Sequence, residues 1–207
     1  MKKLSTRELV LLSVLIALII FLCFITSVVP MPSGLNITFS LIPLALAAIA
    51  LGPVGGAIAG GVFGLVSFLQ CFGLIGTSGM GVALFNEART FKTVALLFVQ
   101  RVFPRLIDGV ALAYVFRAVK KHAPISLAFS VTGVCAALIN TLLFMAALVW
   151  LFGSYEYMQG KVAGRAFFVY LVASVGINGL VELIVTPILV SSIGYALYKA
   201  KYIDIDS

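Results

Sequence analysis

The sequence predicts an all-α integral membrane protein, a bundle of six helices formed as a single domain by residues 1–207. Of these 207 residues, 62% are hydrophobic and 10% are charged, whereas soluble domains have about 45–50% apolar and about 25% charged residues. A long apolar stretch with one charged interruption predicts two membrane spans joined outside the bilayer. Such a stretch runs from Lys121 to Lys199, and the charged residues between them are Glu156, Lys161, Arg165 and Glu182.

Prolines and glycines divide the apolar sequence into six predicted helices. Pro30 ends the first helix, and Gly52–Pro53 separates the second from the third. We expect a break near Pro104 in the fourth helix and a kink at Pro187 in the sixth. The segment 73–91 contains four glycines and is predicted to be a loop. The helices are expected at residues 5–28, 39–50, 54–72, 94–119, 124–152 and 165–199.

The basic residues predict the orientation of the bundle. With the N-terminus inside, eight of the 14 Lys and Arg residues lie on the inner face and four on the outer face; the other two, Arg101 and Arg105, lie within the fourth helix. Cytoplasmic loops of membrane proteins carry the excess of basic residues. Both termini are therefore predicted to be cytoplasmic, in a plasma membrane of the bacterial type.

Several classes of function are excluded by what the sequence lacks. It has no Walker A motif, and its length leaves no room for a separate nucleotide-binding domain, so we expect no ATP hydrolysis. The one histidine, His122, lies at the inner face, which excludes a Ser-His-Asp arrangement, and no His, Cys, Asp and Glu residues have metal-site spacing. Without a basic face, a nucleic-acid partner is not expected either. We predict no catalytic residues, cofactor or metal.

The fourth predicted helix carries three charged residues on one face. Arg101, Arg105 and Asp108 stand at positions i, i+4 and i+7. In one interpretation Arg105 pairs with Asp108 while Arg101 extends toward the membrane surface, because a neutralised pair costs less in lipid. In the other, at least one arginine faces a cavity and binds an anionic group, since the guanidinium fork fits a carboxylate or phosphate.

The fifth and sixth predicted helices carry isolated polar residues. Asn140 and Asn178 either bond helices together or contact a ligand. Glu182 lies one turn after Asn178 and near the bilayer midplane. There it would act as the counter-charge of an arginine or bind a ligand hydroxyl or amine. Tyr170 belongs to a group of outer aromatic residues that most simply form an interfacial belt, although it is also suited to stack on a flat ligand.

Small residues recur at every fourth position along two of the predicted helices, and such ladders let another helix approach closely. They serve internal packing or contact with a partner protein, and both interpretations stay open. The residues are Gly52, Gly56, Gly60 and Gly64 at the third helix and Ser13 and Ala17 in the first.

Two parts of the sequence resemble a known family. Residues 37–65 contain Ile37-Thr38-Phe39, Leu41-Ile42-Pro43, Leu51-Gly52-Pro53, Gly56-Ala57, Gly60 and Phe63-Gly64-Leu65, and residues 103–109 contain Phe103-Pro104-Arg105-Leu106 and Gly109. This pattern, with the six-helix layout, resembles the substrate-binding S components of energy-coupling-factor (ECF) vitamin transporters.

The resemblance implies a membrane protein without ATPase activity that binds a water-soluble vitamin under its outer loops. It also implies a partner, an energising module of one transmembrane coupling subunit and two ATPases. The family docks through Ala-x-x-x-Ala on helix 1, where this chain has Ser13-x-x-x-Ala17. The predicted docking residues are Ser13, Ala17, Gly52, Gly56 and Gly60, and the predicted vitamin-binding residues are Asn86, Arg101, Arg105, Asn140, Tyr170, Asn178 and Glu182.

Two vitamins fit these residues. Pantothenate has a carboxylate that would bind to Arg101 or Arg105, and for this reason the sequence favours pantothenate. Vitamin B6 is small, flat and rich in hydroxyls, which suits the asparagines and tyrosine of the last two helices. Two other functions stay open: a small integral-membrane enzyme, which would need paired acids at one depth, and a stand-alone carrier, which should show an inverted repeat.

Overall fold

The computed structural model describes residues 5–28, 38–162 and 167–203, with the side chains of 161–162, 167–175 and 177–178 excepted. This part of the chain is helical and contains no strand. A 3-10 turn, Gln70–Phe72, follows the second helix. The helices are α1 Thr6–Val28, α2 Leu41–Leu69, α3 Gly79–Glu87, α4 Phe91–Lys120, α5 Ile125–Phe152, α6 Glu156–Val162 and α7 Phe167–Lys199.

Four stretches of the described residues are long and apolar enough to cross a membrane: Thr6–Val28, Leu41–Phe72, Ile125–Phe152 and Gly179–Lys199. At 30 residues α4 is also long enough, but it contains six Lys, Arg and Asp residues. The predicted all-helical, multi-pass membrane architecture is therefore confirmed. The count of six spans and the cytoplasmic placement of both termini stay predictions.

The second and third predicted helices are two arms of α2. They meet at Gly52, where the backbone leaves the helical region (φ 68°, ψ −161°). A positive φ costs little only for glycine, and a Cβ here would also approach the Arg117 Nη2 to 2.8 Å. The arm before Gly52 is buried from Leu41 to Ile49, so this short arm is a core element of the bundle.

The glycine ladder of α2 packs against α4 within the chain. A Cβ placed on Gly56 would lie 2.1 Å from the Gly109 carbonyl oxygen, and one on Gly60 would lie 2.2 Å from the Arg105 carbonyl oxygen. Gly64 approaches Val102 in the same way. The two helices are antiparallel and touch backbone to backbone, as small residues permit. The glycine ladder therefore serves packing within the chain. Of the predicted docking residues, only Ser13 and Ala17 are exposed.

Two sequence predictions about local structure are wrong. The predicted loop 73–91 contains α3, whose Met80 and Leu84 are buried on one face; the glycines disguised this helix because they lower helix propensity. The fourth helix is not broken, because α4 keeps helical dihedrals through Pro104. The last helix leaves helical dihedrals at Gly176 (φ 39°), which the sequence does not predict and which only glycine tolerates easily; the kink at Pro187 stays a prediction.

At the end of the bundle opposite α3, the start of α1 is bonded to the residues that follow α7. The guanidinium of Arg7 donates a hydrogen bond to the Lys201 carbonyl oxygen and lies 5.0 Å from the centre of the Tyr202 ring. Ile203 is buried beside them. These contacts hold the start of α1 against the end of α7.

Candidate functional site

Two arginines of α4 lie inside the bundle. Arg101 is 4% exposed and Arg105 is 5% exposed. The Nη2 of Arg101 donates to the Ser78 Oγ at 3.1 Å, and its Nη1 donates to the Ser67 Oγ at 3.4 Å. The Nη1 of Arg105 donates to the Arg101 carbonyl oxygen at 3.0 Å. Both guanidinium groups are therefore held in fixed positions away from solvent.

Aromatic rings support the same two cations. The guanidinium carbon of Arg101 lies 5.0 Å from the centre of the Phe144 ring on α5, and that of Arg105 lies 4.9 Å from it. Arg105 also lies 4.5 Å from the ring centre of Phe63 on α2. Each such contact stabilises a desolvated cation by about 2 kcal/mol. The rings hold the two like charges close together without neutralising them.

Several buried polar atoms of α4 and α5 have no hydrogen-bond partner among the described residues. They include the Nε of both arginines, both carboxylate oxygens of Asp108 and the Oδ1 of Asn140. An unpartnered polar group in a low-dielectric interior costs several kcal/mol, and more if it is charged. In native proteins such groups accompany a strained or functional site, a bound ion or a bound water.

The pairing of Arg105 with Asp108, one of the two interpretations of the sequence, is not formed as a hydrogen bond. Asp108 is fully buried, and neither of its oxygens accepts a bond from Arg105. The two groups lie only within electrostatic range of each other. Arg101 does not extend to the membrane surface either, because Ser67 and Ser78 hold it inside.

Glu182 of α7 connects this region to the start of α2. Its Oε1 accepts a hydrogen bond from the Thr38 backbone N–H at 2.5 Å, and its side chain is 6% exposed. Arg105 lies within electrostatic range of the carboxylate. Glu182 is therefore near the arginines, as an internal counter-charge would be, and it also positions the residues that lead into α2.

Asn140 lies on the same side of the bundle as the arginines. It stands one helical turn before Phe144, so both project from one face of α5. Because Phe144 contacts both guanidinium groups, the buried amide of Asn140 faces the same region. The side chains of Tyr170 and Asn178 lie outside the described residues, and their predicted roles stay predictions.

Arg101, Arg105, Asp108 and Asn140 are together called the buried cluster below. Asn86 is not part of it. It is exposed on α3, and its Oδ1 accepts a hydrogen bond from the Arg89 Nη2 at 2.8 Å. The neighbouring Glu87, which the sequence did not single out, has a more definite structural position. Its carboxylate accepts the backbone N–H groups of Glu156 and Tyr157 at 2.7 and 3.0 Å. Glu87 thereby caps the start of α6 and links it to the end of α3.

The sequence-based site also omits two buried polar residues of α4. Asp108 was noted only as a partner for Arg105, and Gln100, whose side-chain atoms are fully buried and unpartnered, was not noted at all. A polar amide inside a span beside Arg101 was a usable signal. Ser67 and Ser78 gave none, because serines are common in helices and turns alike.

The chain belongs to the family of substrate-specific components of ECF transporters. The family model for the ECF transporter substrate-specific component matches residues 7–194, which is nearly the whole chain. A comparison with curated proteins gave no match. The protein is therefore the substrate-specific subunit of a transporter. Among the described residues no group of three or more His, Cys, Asp and Glu is placed to hold a metal ion.

Proposed function

We propose that this protein binds a small water-soluble vitamin between α2, α4, α5 and α7, and that the vitamin is pantothenate. The observation that carries the proposal is the arginine pair of α4, buried on Phe144 with both Nε atoms unpartnered. A carboxylate is the natural partner for two adjacent guanidinium groups, because it accepts paired, charge-assisted hydrogen bonds.

Vitamin B6 of the pyridoxine class is the second candidate. Two embedded acids, Asp108 and Glu182, formally balance the two embedded arginines, and an uncharged ligand keeps that balance. The unpartnered oxygens of Asp108 and Asn140 suit hydroxyl donors. We prefer pantothenate because its carboxylate can bind the arginines while its hydroxyl groups donate to the oxygens of Asp108 and Asn140.

The remaining parts of the function follow from the family. S components work with a module of one transmembrane subunit and two ATPases, and we propose that this chain docks to it through the exposed Ser13–Ala17 face of α1. The face opposite is buried against the bundle through Leu12, Leu15 and Ile19. We place the protein in a bacterial plasma membrane with both termini in the cytoplasm.

Titration of the detergent-purified protein by calorimetry tests the proposal. We expect saturable 1:1 binding of pantothenate without ATP or an ion gradient, and native mass spectrometry should reveal the retained vitamin. Pyridoxine, thiamine and riboflavin serve as comparison ligands. Tight binding of one of these instead of pantothenate would replace the substrate, and binding of no vitamin would refute the function.

A further inference from the structure

Asp108 is an acid in the interior of the bundle without a hydrogen-bond partner among the described residues. Its side chain is fully buried, and neither carboxylate oxygen accepts a hydrogen bond. Arg105, one turn earlier on α4, uses its Nη1 on the Arg101 carbonyl oxygen and stacks on two phenylalanines. The nearest arginine is therefore held by other contacts and does not satisfy this acid.

The surroundings of Asp108 point to α5. Cys135 of α5 lies within electrostatic range of the carboxylate, and Phe144 of the same helix contacts the arginines. Asn140 stands between these two positions along α5, with its Oδ1 unpartnered. The α4–α5 face thus presents cations at the level of Phe144 and unpartnered acceptors in the direction of Cys135.

The separation of the two groups has the scale of a small molecule. Arg101 and Asp108 are seven positions apart on one continuous helix, which corresponds to about 10 Å at 1.5 Å per residue. A ligand that spans this distance meets hydrogen-bond donors at one end and acceptors at the other. Hydroxyl and amide N–H groups are the complement of a carboxylate and an amide oxygen.

We propose that Asp108, assisted by Asn140, is the specificity-determining group for the donor end of the ligand. The substrate class is a small anion with its carboxylate at one end and hydroxyl donors about 10 Å away. The carboxylate end lies at Arg101 and Arg105, and the hydroxyl end lies at Asp108. This assignment rests on the proposed vitamin-binding function and fixes the direction in which the ligand lies along α4.

Hydroxyl deletion in the ligand, combined with substitution of Asp108, tests this assignment. The probes are pantothenate and its analogue in which hydrogen replaces both hydroxyl groups, titrated against wild type and Asp108→Leu, which removes the acceptor at similar volume. We expect wild type to favour pantothenate about 10- to 100-fold, because the analogue leaves a buried acceptor without a hydrogen bond. The preference should fall to less than threefold in Asp108→Leu, whereas a control change of the half-buried acid Glu8→Gln on α1 should preserve it.

The outcomes separate the inference from the function on which it rests. A hydroxyl preference that is absent in wild type, or unchanged in Asp108→Leu, overturns the role of Asp108 while vitamin binding stands. Binding of pyridoxine in place of pantothenate overturns the two-ended assignment and replaces the proposed substrate, while the vitamin-binding function stands. Binding of no vitamin removes both the assignment and the function. If Asp108→Leu does not yield a monodisperse protein, Asp108→Ala provides the same comparison.

Discussion

The two arginines of α4 show how a costly group in a membrane indicates function. A buried guanidinium needs a counter-charge or a complete set of hydrogen-bond acceptors. Arg101 obtains two serine hydroxyls, and Arg105 obtains one carbonyl oxygen and two aromatic rings. Each retains an unpartnered Nε, so the hydrogen bonding of both guanidinium groups is incomplete.

Replacing Arg105 should remove the preference for an anionic ligand. We expect Arg105→Ala to weaken pantothenate binding by about 2–3 kcal/mol, the scale of a charge-assisted bond. Arg105→Lys should be intermediate, because lysine keeps the charge but not the planar fork. The measurement is calorimetric titration with pantothenate and with panthenol, its uncharged alcohol analogue. Equal loss of affinity for pantothenate and panthenol would show that Arg105 shapes the site without binding the carboxylate.

Glu182 should act through the start of α2 as well as through charge. In Glu182→Gln the side-chain oxygen still accepts the Thr38 N–H, whereas in Glu182→Ala that bond is lost. We therefore expect Glu182→Ala to lower thermal stability in detergent by about 1–3 kcal/mol, and Glu182→Gln to lower it less. If Glu182→Ala and Glu182→Gln have the same melting temperature, the hydrogen bond to Thr38 makes no measurable contribution to stability.

At the scale of elements, the contact between α2 and α4 sets the position of the arginines. The backbones touch at Gly56 and Gly109 and again at Gly60 and Arg105. Arg105 thus belongs both to the helix contact and to the polar cluster. Any change that separates the helices also displaces its guanidinium group.

Adding a methyl group to this contact should destabilise the fold. A Cβ on Gly56 would overlap the Gly109 carbonyl oxygen, and that atom is backbone and cannot rotate away. We expect Gly56→Ala to cost about 1–3 kcal/mol and Gly56→Leu to prevent assembly and uptake. Gly61→Ala is the matched control, because nothing lies within 4 Å of its Cβ position. Equal melting of Gly56→Ala and Gly61→Ala would contradict the packing described above.

The sequence predicted the apolar helices well because bilayer thickness imposes their length. The break at Gly52 was also predictable, since Gly-Pro is a strong local signal. In contrast, α3 was missed because its stability comes from the burial of Met80 and Leu84, a tertiary contact that local composition does not report. The site divides in the same way. Arg101, Arg105 and Asn140 stood out as polar residues in spans, but the serines that hold Arg101 come from distant parts of the chain.

At the scale of the whole molecule, the proposed binding site and the proposed docking face lie in different places. The polar cluster lies within the bundle, whereas Ser13 and Ala17 lie on the face of α1 that no described residue covers closely. Binding and docking are therefore expected to be separable. A substitution on this face should leave the site intact.

Bulk on the exposed face of α1 should abolish uptake and preserve binding. Ala17→Phe fills the space that a close helix partner needs, so we expect transport to fall at least tenfold in cells or vesicles that contain the energising module. Calorimetric affinity for pantothenate should stay within twofold of wild type. Leu142→Phe, on an exposed position of α5, is the control for added bulk in lipid. Unchanged uptake with Ala17→Phe would exclude this face as the docking surface.

The meeting of Gly56 and Gly109 also constrains how proteins of this architecture diverge. Neither position has a side chain left to remove, so a methyl gained at one cannot be offset by a loss at the other. We expect the two glycines to be inherited as a unit, while the polar residues nearby are free to drift. Selection can then exchange one nutrient for another without rebuilding the scaffold that carries it.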